Sequence, residues 1–448
     1  MKRILFTFLL MAALFTAFAC ERRGGGNGAN DTGPIKVGVY ADLSGQTSSF
    51  GQSTVNGIKM AADEINKAGG IGGRQVELII EDDQGRPEQA ATVVTKLISQ
   101  NQVHAVLGEV ASSNSLAAAP KAQAAKVPMI TPSSTNPKVT QVGDYIFRVC
   151  FIDPFQGEVM AKFAANTLKA KRAAILLDVN SDYSRGLAQF FEENFVKLGG
   201  QIVERQSYTQ TDRDFKGQLT SIRQANPDVI YVPGYYGQVG VIAKQAKELA
   251  IKAPLLGGDG WDAPQLFQIG GSALNGSYMS NHYSVDDPSP ATQKFVADYK
   301  SRYNGTPPDA IGALAYDAMK VLADAIGRAG TTEGAKLRDA IAQTKGYPGV
   351  TGNITINNER NAVKPAVVFE LQDGKYVYKE TIQPEGAQPT TTSTTAATSN
   401  TSASTTSTAS SNTASSNTAT TTSTTASPGT SPATKTTNTS TATPKKTP

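Results

Sequence analysis

Residues 103–131 of this 448-residue chain read VHAVLGEVASSNSLAAAPKAQAAKVPMIT, and this stretch decides the fold class. Its apolar beginning, 103–108, predicts a strand, and the small, helix-forming residues 112–126 predict a helix. Residues 127–131 predict a second strand. A strand, a helix and a strand in this order favour two parallel strands joined by a crossover helix. The stretch therefore predicts a parallel sheet that is covered by helices.

The same alternation continues on both sides of this unit. Before it, the pattern predicts alternating strands and helices at 35–44, 50–67, 75–83 and 86–100. After it, a second series is predicted at 172–178, 184–198, 201–208, 214–224 and 228–232. Three further helices and a hairpin around Asp373-Gly374 follow, at 292–303, 311–329, 332–344, 367–371 and 376–381. Two βα series, each of about 120 residues, predict an α/β protein with two lobes.

The beginning of the chain has the pattern of an export signal. Lys2 and Arg3 precede the apolar run 4–18, which is too short for a transmembrane helix, since a span needs about 20 apolar residues. Ala19 stands directly before Cys20. This favours a lipoprotein signal over residues 1–19, with Cys20 acylated and the protein anchored outside the cytoplasmic membrane. Ordinary cleavage after Ala19, with an incidental cysteine, is the alternative.

Two further segments are predicted to lie outside the folded lobes. Residues 20–33 are rich in Gly and Asn and predict a flexible tether. Residues 384–448 are dominated by Ser and Thr and contain no large apolar residue, which predicts a disordered tail. Such a tail is a candidate for O-glycosylation, and an unmodified polar tail is an equally open alternative.

Composition and residue counts exclude several functions. The balance of 42 Lys+Arg against 38 Asp+Glu lacks the basic excess of a nucleic-acid binder. Two His and two Cys are too few for a His-rich or four-cysteine metal site. His104, in a predicted strand, and His282, in a predicted loop, are interpreted as structural, Cys150 as a core thiol and the glycines of 69–73 as a helix stop. We therefore predict no enzyme, no metal and no cofactor.

Two loops at the ends of predicted strands carry hydroxyl groups. Residues 109–113 read EVASS, and residues 132–137 read PSSTNP. In open α/β sheets, ligands bind at the carboxyl ends of the strands, where helix N-termini offer free N–H groups. These loops could form a cradle for a carboxylate. Simple N-capping of the helices by Ser and Thr is the alternative.

Residues 35–383 resemble the periplasmic binding proteins of the leucine/isoleucine/valine type, the receptors of branched-chain amino acid ABC importers. The matching stretches are AADEINKAGGIG (61–72), GEVASS (108–113), MITPSSTNPKVT (129–140), YIFR (145–148) with Gln156-Gly157, DYSRGLA (182–188), VIYVPGYY (229–236) and GGDGW (257–261). The resemblance implies a type I periplasmic binding protein fold, in which two Rossmann-like lobes close about a hinge. The implied lobes are 34–151 plus about 284–350, and 152–283 plus about 351–383.

The resemblance also implies a set of ligand-binding residues. Ser112 and Thr135 would bind the carboxylate of an amino acid through hydroxyl and N–H groups. The carbonyl of Ser133 and the carboxylate of Asp259 would bind its ammonium. The implied side-chain pocket is lined by Phe50, Val110, Ala111, Tyr183, Tyr235 and Trp261. Burial of a zwitterion requires such partners, because each charge loses its hydration.

Three positions depart from the better-known receptors. Asp259 replaces Glu, so its reach is one methylene shorter, Phe50 replaces Tyr, and Ala111 replaces a half-cystine, so the family disulfide is not expected. These departures leave the fold unchanged and make the choice of ligand uncertain from sequence.

The expected function is that of a lipid-anchored receptor that passes an amino acid to a membrane permease and its ATPase. One alternative is a receptor of the same fold for an amide, a urea-like molecule or an aromatic acid. Others are a sensory receptor, an exported hydrolase and a structural surface protein.

Overall fold

A computed structural model describes residues 33–384 of the protein. The predicted export signal, Cys20, nearly all of the predicted tether and the Ser/Thr-rich tail from residue 385 lie outside the described residues. None of the helices within 33–384 combines the length and the apolar character that a membrane span requires.

The first sheet has five parallel strands in the order β2-β1-β3-β4-β5. Its strands are β1 (Ile35–Ala41), β2 (Val76–Asp82), β3 (Ala105–Leu107), β4 (Met129–Thr131) and β5 (Ile146–Arg148). The helices between them are α1 (Ser48–Lys67), α2 (Pro87–Ser99), α3 (Ser112–Ala125) and the short α4 (Lys138–Gln141). Strand order reverses beside β1, so the sheet is doubly wound, as the βα alternation predicts.

The second sheet has seven strands in the order β14-β13-β10-β9-β8-β6-β7. Its parallel strands are β6 (Arg172–Asp178), β7 (Gln201–Tyr208), β8 (Val229–Tyr231), β9 (Leu255–Gly257) and β10 (Ser277–Asn281). The predicted hairpin is confirmed as the antiparallel pair β13 (Ala366–Gln372) and β14 (Lys375–Ile382). The intervening helices are α5 (Asp153–Lys162, continued as a π-helix over Phe163–Thr167), α6 (Asp182–Lys197), α7 (Lys216–Ala225), α8 (Tyr236–Glu248) and α9 (Pro264–Gly270).

The chain returns to the first sheet after β10. Three helices and a small hairpin complete that half: α10 (Pro290–Arg302), α11 (Ala310–Ala329), α12 (Gly334–Ala342), β11 (Tyr347–Gly349) and β12 (Gly352–Ile354). Buried residues of these elements, including Leu314, Leu322 and Ile354, share one apolar core with Val37 and Val39 of β1. The apolar residues of β13 pack instead with the second sheet. The chain therefore passes between the two cores three times, after β5, after β10 and before β13.

The predicted helices that carry a strong apolar stripe agree with the structure to within two residues at each end. The glycines of 69–73 end α1 as interpreted, since Gly69 and Gly70 adopt φ values of 101° and 81°. Strands β5 and β10 are not predicted; β5 lies inside the longer apolar run 145–152 and shows no boundary of its own. His104 is a correction, because it precedes β3 instead of lying within a strand, and its Nδ1 accepts a hydrogen bond from the Lys36 N–H.

Cys150 is confirmed as a core thiol. It is the one cysteine within 33–384, it is free, and its side chain is fully buried in the core of the first sheet. Burial raises the pKa of its thiol to about 12, so the thiol stays protonated and unreactive at neutral pH.

Candidate functional site

The loops at the carboxyl ends of the two sheets meet in the middle of the molecule. Ser113, in the first turn of α3, donates its hydroxyl to Asp182 Oδ2 at 2.9 Å and accepts the Asp182 N–H at 3.0 Å. The Asn136 side chain, in the loop after β4, donates to the Asp182 carbonyl at 2.8 Å. The start of α6 is therefore fastened to two loops of the first sheet.

A second set of contacts joins the two halves of the molecule between the start of α1 and the start of α8. The Ser49 N–H donates to the Tyr236 hydroxyl at 3.3 Å, and that hydroxyl donates to the Gln46 carbonyl at 3.1 Å. Gln238 donates its side-chain amide to Gln46 Oε1 at 3.0 Å. The start of α1 thus rests on the start of α8, so polar contacts enclose the space between the sheets from two directions.

A buried arginine fixes the loop that follows β4. The Arg148 side chain is fully buried and donates to the carbonyls of Ser134 and Asn136, the latter at 2.8 Å. Its Nε donates to Asn361 Oδ1 at 2.7 Å, which ties the loop to the crossover before β13. The planar guanidinium can satisfy several acceptors at once, and a lysine cannot reproduce this geometry. Because these carbonyls are occupied by Arg148, the loop has little freedom to rearrange.

This loop and the start of α3 place hydroxyl groups together. Ser112 is the first residue of α3, and its hydroxyl accepts the Asn136 N–H at 3.3 Å. The hydroxyls of Ser133 and Thr135 are buried and have no hydrogen-bond partner of good geometry among residues 33–384. Simple N-capping does not describe α3, because Ala111 occupies its N-cap position and no side chain caps the helix. The free N–H groups of α3 and the two hydroxyls suit an anionic or polar group.

Asp259 lies opposite, in the single helical turn Asp259–Trp261 that follows β9. Its side chain is nearly fully buried, and Oδ1 accepts hydrogen bonds from Gln156 Nε2 at 2.8 Å and from the Tyr183 hydroxyl at 3.0 Å. These partners fix the orientation of a carboxylate that stands at the carboxyl edge of the second sheet. Burial raises the pKa of Tyr183 well above its usual range, and the charge of Asp259 raises it further. The Tyr183 hydroxyl therefore keeps its proton and donates a hydrogen bond to Asp259.

His282 is a third partner of this carboxylate. It follows β10 directly, its side chain is fully buried, and its Nε2 lies 3.1 Å from Asp259 Oδ2. Burial lowers the pKa of His282 below its usual value, although Asp259 acts in the opposite direction. A neutral imidazole whose Nε2 donates to the carboxylate fits this geometry. The ring stacks on Phe151 with centroids 3.8 Å apart.

A second carboxyl, Asp153, lies beside Asp259 at the first turn of α5. Its side chain is fully buried, and neither oxygen has a hydrogen-bond partner of good geometry among the described residues. Its backbone N–H donates to the Thr135 carbonyl at 3.0 Å, which places it directly at the β4 loop. Burial, with the charge of Asp259 in support, raises the pKa of Asp153 to about 8, while the Thr135 hydroxyl and the Arg148 guanidinium oppose the rise.

Aromatic rings form a wall beside these polar groups. Tyr183 and Tyr235 stack with centroids 5.3 Å apart, and Phe50 meets Tyr235 edge-on at 5.9 Å. Phe50 also packs in one apolar core with Val110 from the loop after β3. Side chains from both halves therefore share one apolar surface.

The structure brings most of the predicted site residues together. Ser112, Ser133 and Thr135 lie on the first half, Asp259, Tyr183 and Tyr235 on the second, and Phe50 and Val110 at the junction. Ala111 is half-buried at the α3 N-cap. Trp261 is fully buried, and its Nε1 donates to the Val232 carbonyl at 3.0 Å, so it packs in the core beneath β9.

Sequence reasoning missed three members of the cluster, namely Asp153, Gln156 and His282. Gln156 stood in a matching stretch, but no role was assigned to it. His282 was interpreted as a structural histidine in a loop. The structure places it at the same sheet edge as Asp259, because β10 runs parallel to β9, and the sequence pattern gives no signal for this proximity, because it does not predict β10.

Comparison with known proteins identifies the family. The family model described as periplasmic binding protein matches residues 34–375. The Leu/Ile/Val-binding protein BraC3 of Rhizobium johnstonii is 32% identical over 349 residues, which cover 77% of this chain and 94% of that protein. A leucine-, isoleucine-, valine-, threonine- and alanine-binding protein of Pseudomonas aeruginosa is 30% identical over 346 residues, 77% of this chain and 91% of that protein.

Solved structures show the same architecture. The leucine-binding protein LivK of Thermotoga maritima is 42% identical, with a TM-score of 0.76 over 78% of this chain and 99% of that chain. LivJ of Streptococcus pneumoniae, solved in complex with isoleucine, is 34% identical, with a TM-score of 0.75 over 78% of this chain and 100% of that chain. The two sheets described above are thus those of a type I periplasmic binding protein. The chain belongs to the periplasmic binding protein family and is a homologue of the Leu/Ile/Val-binding proteins.

Proposed function

We propose that the protein is the extracytoplasmic receptor of an ABC importer and that it captures a branched-chain or related α-amino acid between its two halves. The observation that carries this proposal is the pairing of a hydroxyl-rich helix start, at Ser112, with the buried carboxylate of Asp259 on the opposite half. These two features complement the two charges of one zwitterion.

The carboxylate of the amino acid would lie at the start of α3. Ser112 and Thr135 would donate hydroxyl and backbone N–H groups to it, with the positive end of the helix dipole adding stabilisation. The buried Thr135 hydroxyl supports this assignment, because its approach to Asp153 lacks good hydrogen-bond geometry and a ligand carboxylate would supply a better partner.

The ammonium would lie at Asp259, with the Ser133 carbonyl as a further acceptor. The donors Gln156, Tyr183 and His282 hold Asp259 in place without neutralising it. A benzoate-type ligand has no positive charge for this position, although a relative from Rhodopseudomonas palustris that is 28% identical was solved with 3,4-dihydroxybenzoic acid. The buried carboxyls therefore favour an amine-bearing ligand here.

The aliphatic side chain of the ligand would contact Phe50, Val110, Tyr183 and Tyr235, and Ala111 would border it. We propose that Trp261 supports this wall from the core. We further propose that closure is a hinge motion about the three crossovers, with lobes near the boundaries expected from sequence. Ligand contacts from both halves would bias it toward the closed form.

Delivery requires a membrane partner and a location outside the cytoplasm. We propose a permease with its ATPase as the partner, and a lipid anchor at Cys20 that keeps the receptor near it. The receptor would release its ligand unchanged, without a catalytic step.

A ligand screen tests the proposal. The full-length protein is titrated with L-leucine, L-isoleucine and L-valine by calorimetry, with benzoate and acetamide as the competing ligand classes. We expect at least one amino acid to bind with micromolar or tighter affinity and to raise the melting temperature of the protein. Binding of benzoate or acetamide alone would overturn the assignment of an α-amino acid.

A further inference from the structure

The binding site contains one carboxyl more than a single ammonium needs. Asp153 and Asp259 are both buried, and both belong to the half built on the second sheet, at the start of α5 and after β9. Asp259 has three hydrogen-bond donors, whereas both oxygens of Asp153 lack a partner of good geometry within 33–384. Gln156 connects them, since it lies one turn after Asp153 and donates to Asp259.

The unpartnered atoms around Asp153 are hydrogen-bond acceptors or hydroxyl groups, which can also accept a hydrogen bond. They comprise Gln156 Oε1 and the Tyr231 hydroxyl, in addition to the two Asp153 oxygens, and the Thr135 hydroxyl lies close enough to Asp153 to act on its pKa. An ammonium offers three N–H donors and one positive charge, which matches this set. The charged and titratable groups that act on Asp153 or share its surroundings are Arg148, Cys150, Tyr183, Tyr231, Asp259 and, through Asp259, His282.

We propose that Asp153 and Asp259 share the ammonium of the ligand, and that Asp153 loses a proton to the solvent when the ammonium enters. This inference rests on the proposed function. The charge balance is simple: the neutral carboxyl of Asp153 and a zwitterionic amino acid become an ionised Asp153 bound to that zwitterion, and one proton leaves for the buffer. Ligand capture thereby becomes linked to pH.

The electrostatics of the cluster support this step. In the ligand-free protein, burial and the neighbouring Asp259 raise the pKa of Asp153 to about 8, so the group is mostly protonated at pH 7. A bound ammonium favours the ionised form and lowers that pKa. The affinity should therefore rise by roughly tenfold for each pH unit between pH 6 and 7, and level off above about pH 9. A free amino acid keeps both of its charges from pH 6 to 8.

Calorimetry in different buffers measures directly how many protons are released when a ligand binds. The full-length protein is titrated with L-isoleucine or L-leucine at pH 7 in phosphate and in Tris, whose ionisation enthalpies differ widely. We expect the observed binding enthalpy to change linearly with the buffer ionisation enthalpy, with a slope close to one proton released per ligand. D153N should bind with a slope near zero and with a flat pH dependence of affinity.

D309N is the matched control. Asp309 is another buried carboxyl, with a pKa raised to about 7 by burial and the nearby Asp262, but it caps α11, a role that Asn fills equally well. D309N should therefore keep the slope of the wild type.

Three results would contradict the proposal. Wild-type binding without proton release overturns it and leaves the proposed function intact. Proton release that persists in D153N assigns the proton to another group. Absence of any amino acid binding overturns the proposed function and this inference with it. If D153N does not fold, the pH dependence of the ligand affinity of the wild type tests the proposal alone.

Discussion

Nε2 of His282 lies 3.1 Å from Oδ2 of Asp259, and both side chains are buried. The two residues come from the ends of neighbouring parallel strands, β10 and β9. A neutral histidine here orients the carboxylate and leaves its negative charge available. Asp259 therefore has a fixed direction before any ligand arrives, which lowers the entropy cost of binding.

Removing the charge of Asp259 should weaken binding strongly. D259A leaves the buried ammonium with only the carboxyl of Asp153, so the loss should approach the roughly 3–5 kcal/mol of a broken buried ion pair, or up to about 10²–10⁴ in affinity for L-leucine. D259N preserves the shape and should also bind much more weakly. Titration calorimetry measures both variants. If D259N bound as tightly as the wild type, the ammonium would not lie at this carboxylate.

Loss of the His282 imidazole should weaken binding less. H282A removes one hydrogen bond to a carboxylate and the stacking on Phe151, and we expect a loss of about 1.5–3 kcal/mol, or roughly 10- to 100-fold in affinity. H104A is the control, since His104 lies at the opposite end of β3 from the binding loops. Equal affinity of H282A and H104A would show that His282 does not orient Asp259.

The contact between Ser113 and Asp182 should control how long the ligand stays bound. S113A removes both hydrogen bonds between its hydroxyl and Asp182, and each is worth about 0.5–1.5 kcal/mol. We expect the dissociation rate to rise roughly 5- to 150-fold in stopped-flow experiments, with little change in the association rate. S99A, at the exposed end of α2, is the control. An unchanged dissociation rate in S113A would mean that this contact does not hold the closed form.

The clamp at Arg148 should be essential for stability. R148K keeps the positive charge but cannot serve the carbonyls of Ser134 and Asn136 and the Asn361 side chain together, so we expect a loss of roughly 2–4 kcal/mol in the free energy of unfolding. Urea denaturation measures the change. R185K, on the exposed surface, should stay within about 0.5 kcal/mol of the wild type, and an equally small effect in R148K would refute the role of the clamp.

The lipid anchor can be tested separately from binding. C20S should release the protein from the membrane fraction and leave its affinity for L-leucine unchanged. Membrane fractionation and mass spectrometry of the wild type check the acyl group. A C20S protein that remained in the membrane fraction would exclude this anchor.

The sequence predicts the layers of the fold and names part of the candidate site. Apolar periodicity predicted the main helices, and the resemblance supplied Ser112, Thr135 and Asp259, because these residues stand in short motifs at strand ends. Patterning does not supply β5, because this strand lies inside the continuous apolar run 145–152 and shows no boundary of its own. Nor could it bring Asp153 beside Asp259, because their proximity depends on how the crossover after β5 approaches the second sheet.

The hydrogen bonds of Arg148 also have an evolutionary consequence. They set the path of the main chain around Ser133 and Thr135. In the proposed function, peptide groups of this loop would therefore recognise the part that all amino acids have in common, and substitutions alter peptide groups little. The features that differ between amino acids would meet side chains such as Phe50 and Tyr235, which a single codon change can replace. Divergence of this receptor toward new nutrients should therefore begin in its aromatic wall, while the main-chain loop behind it remains the same.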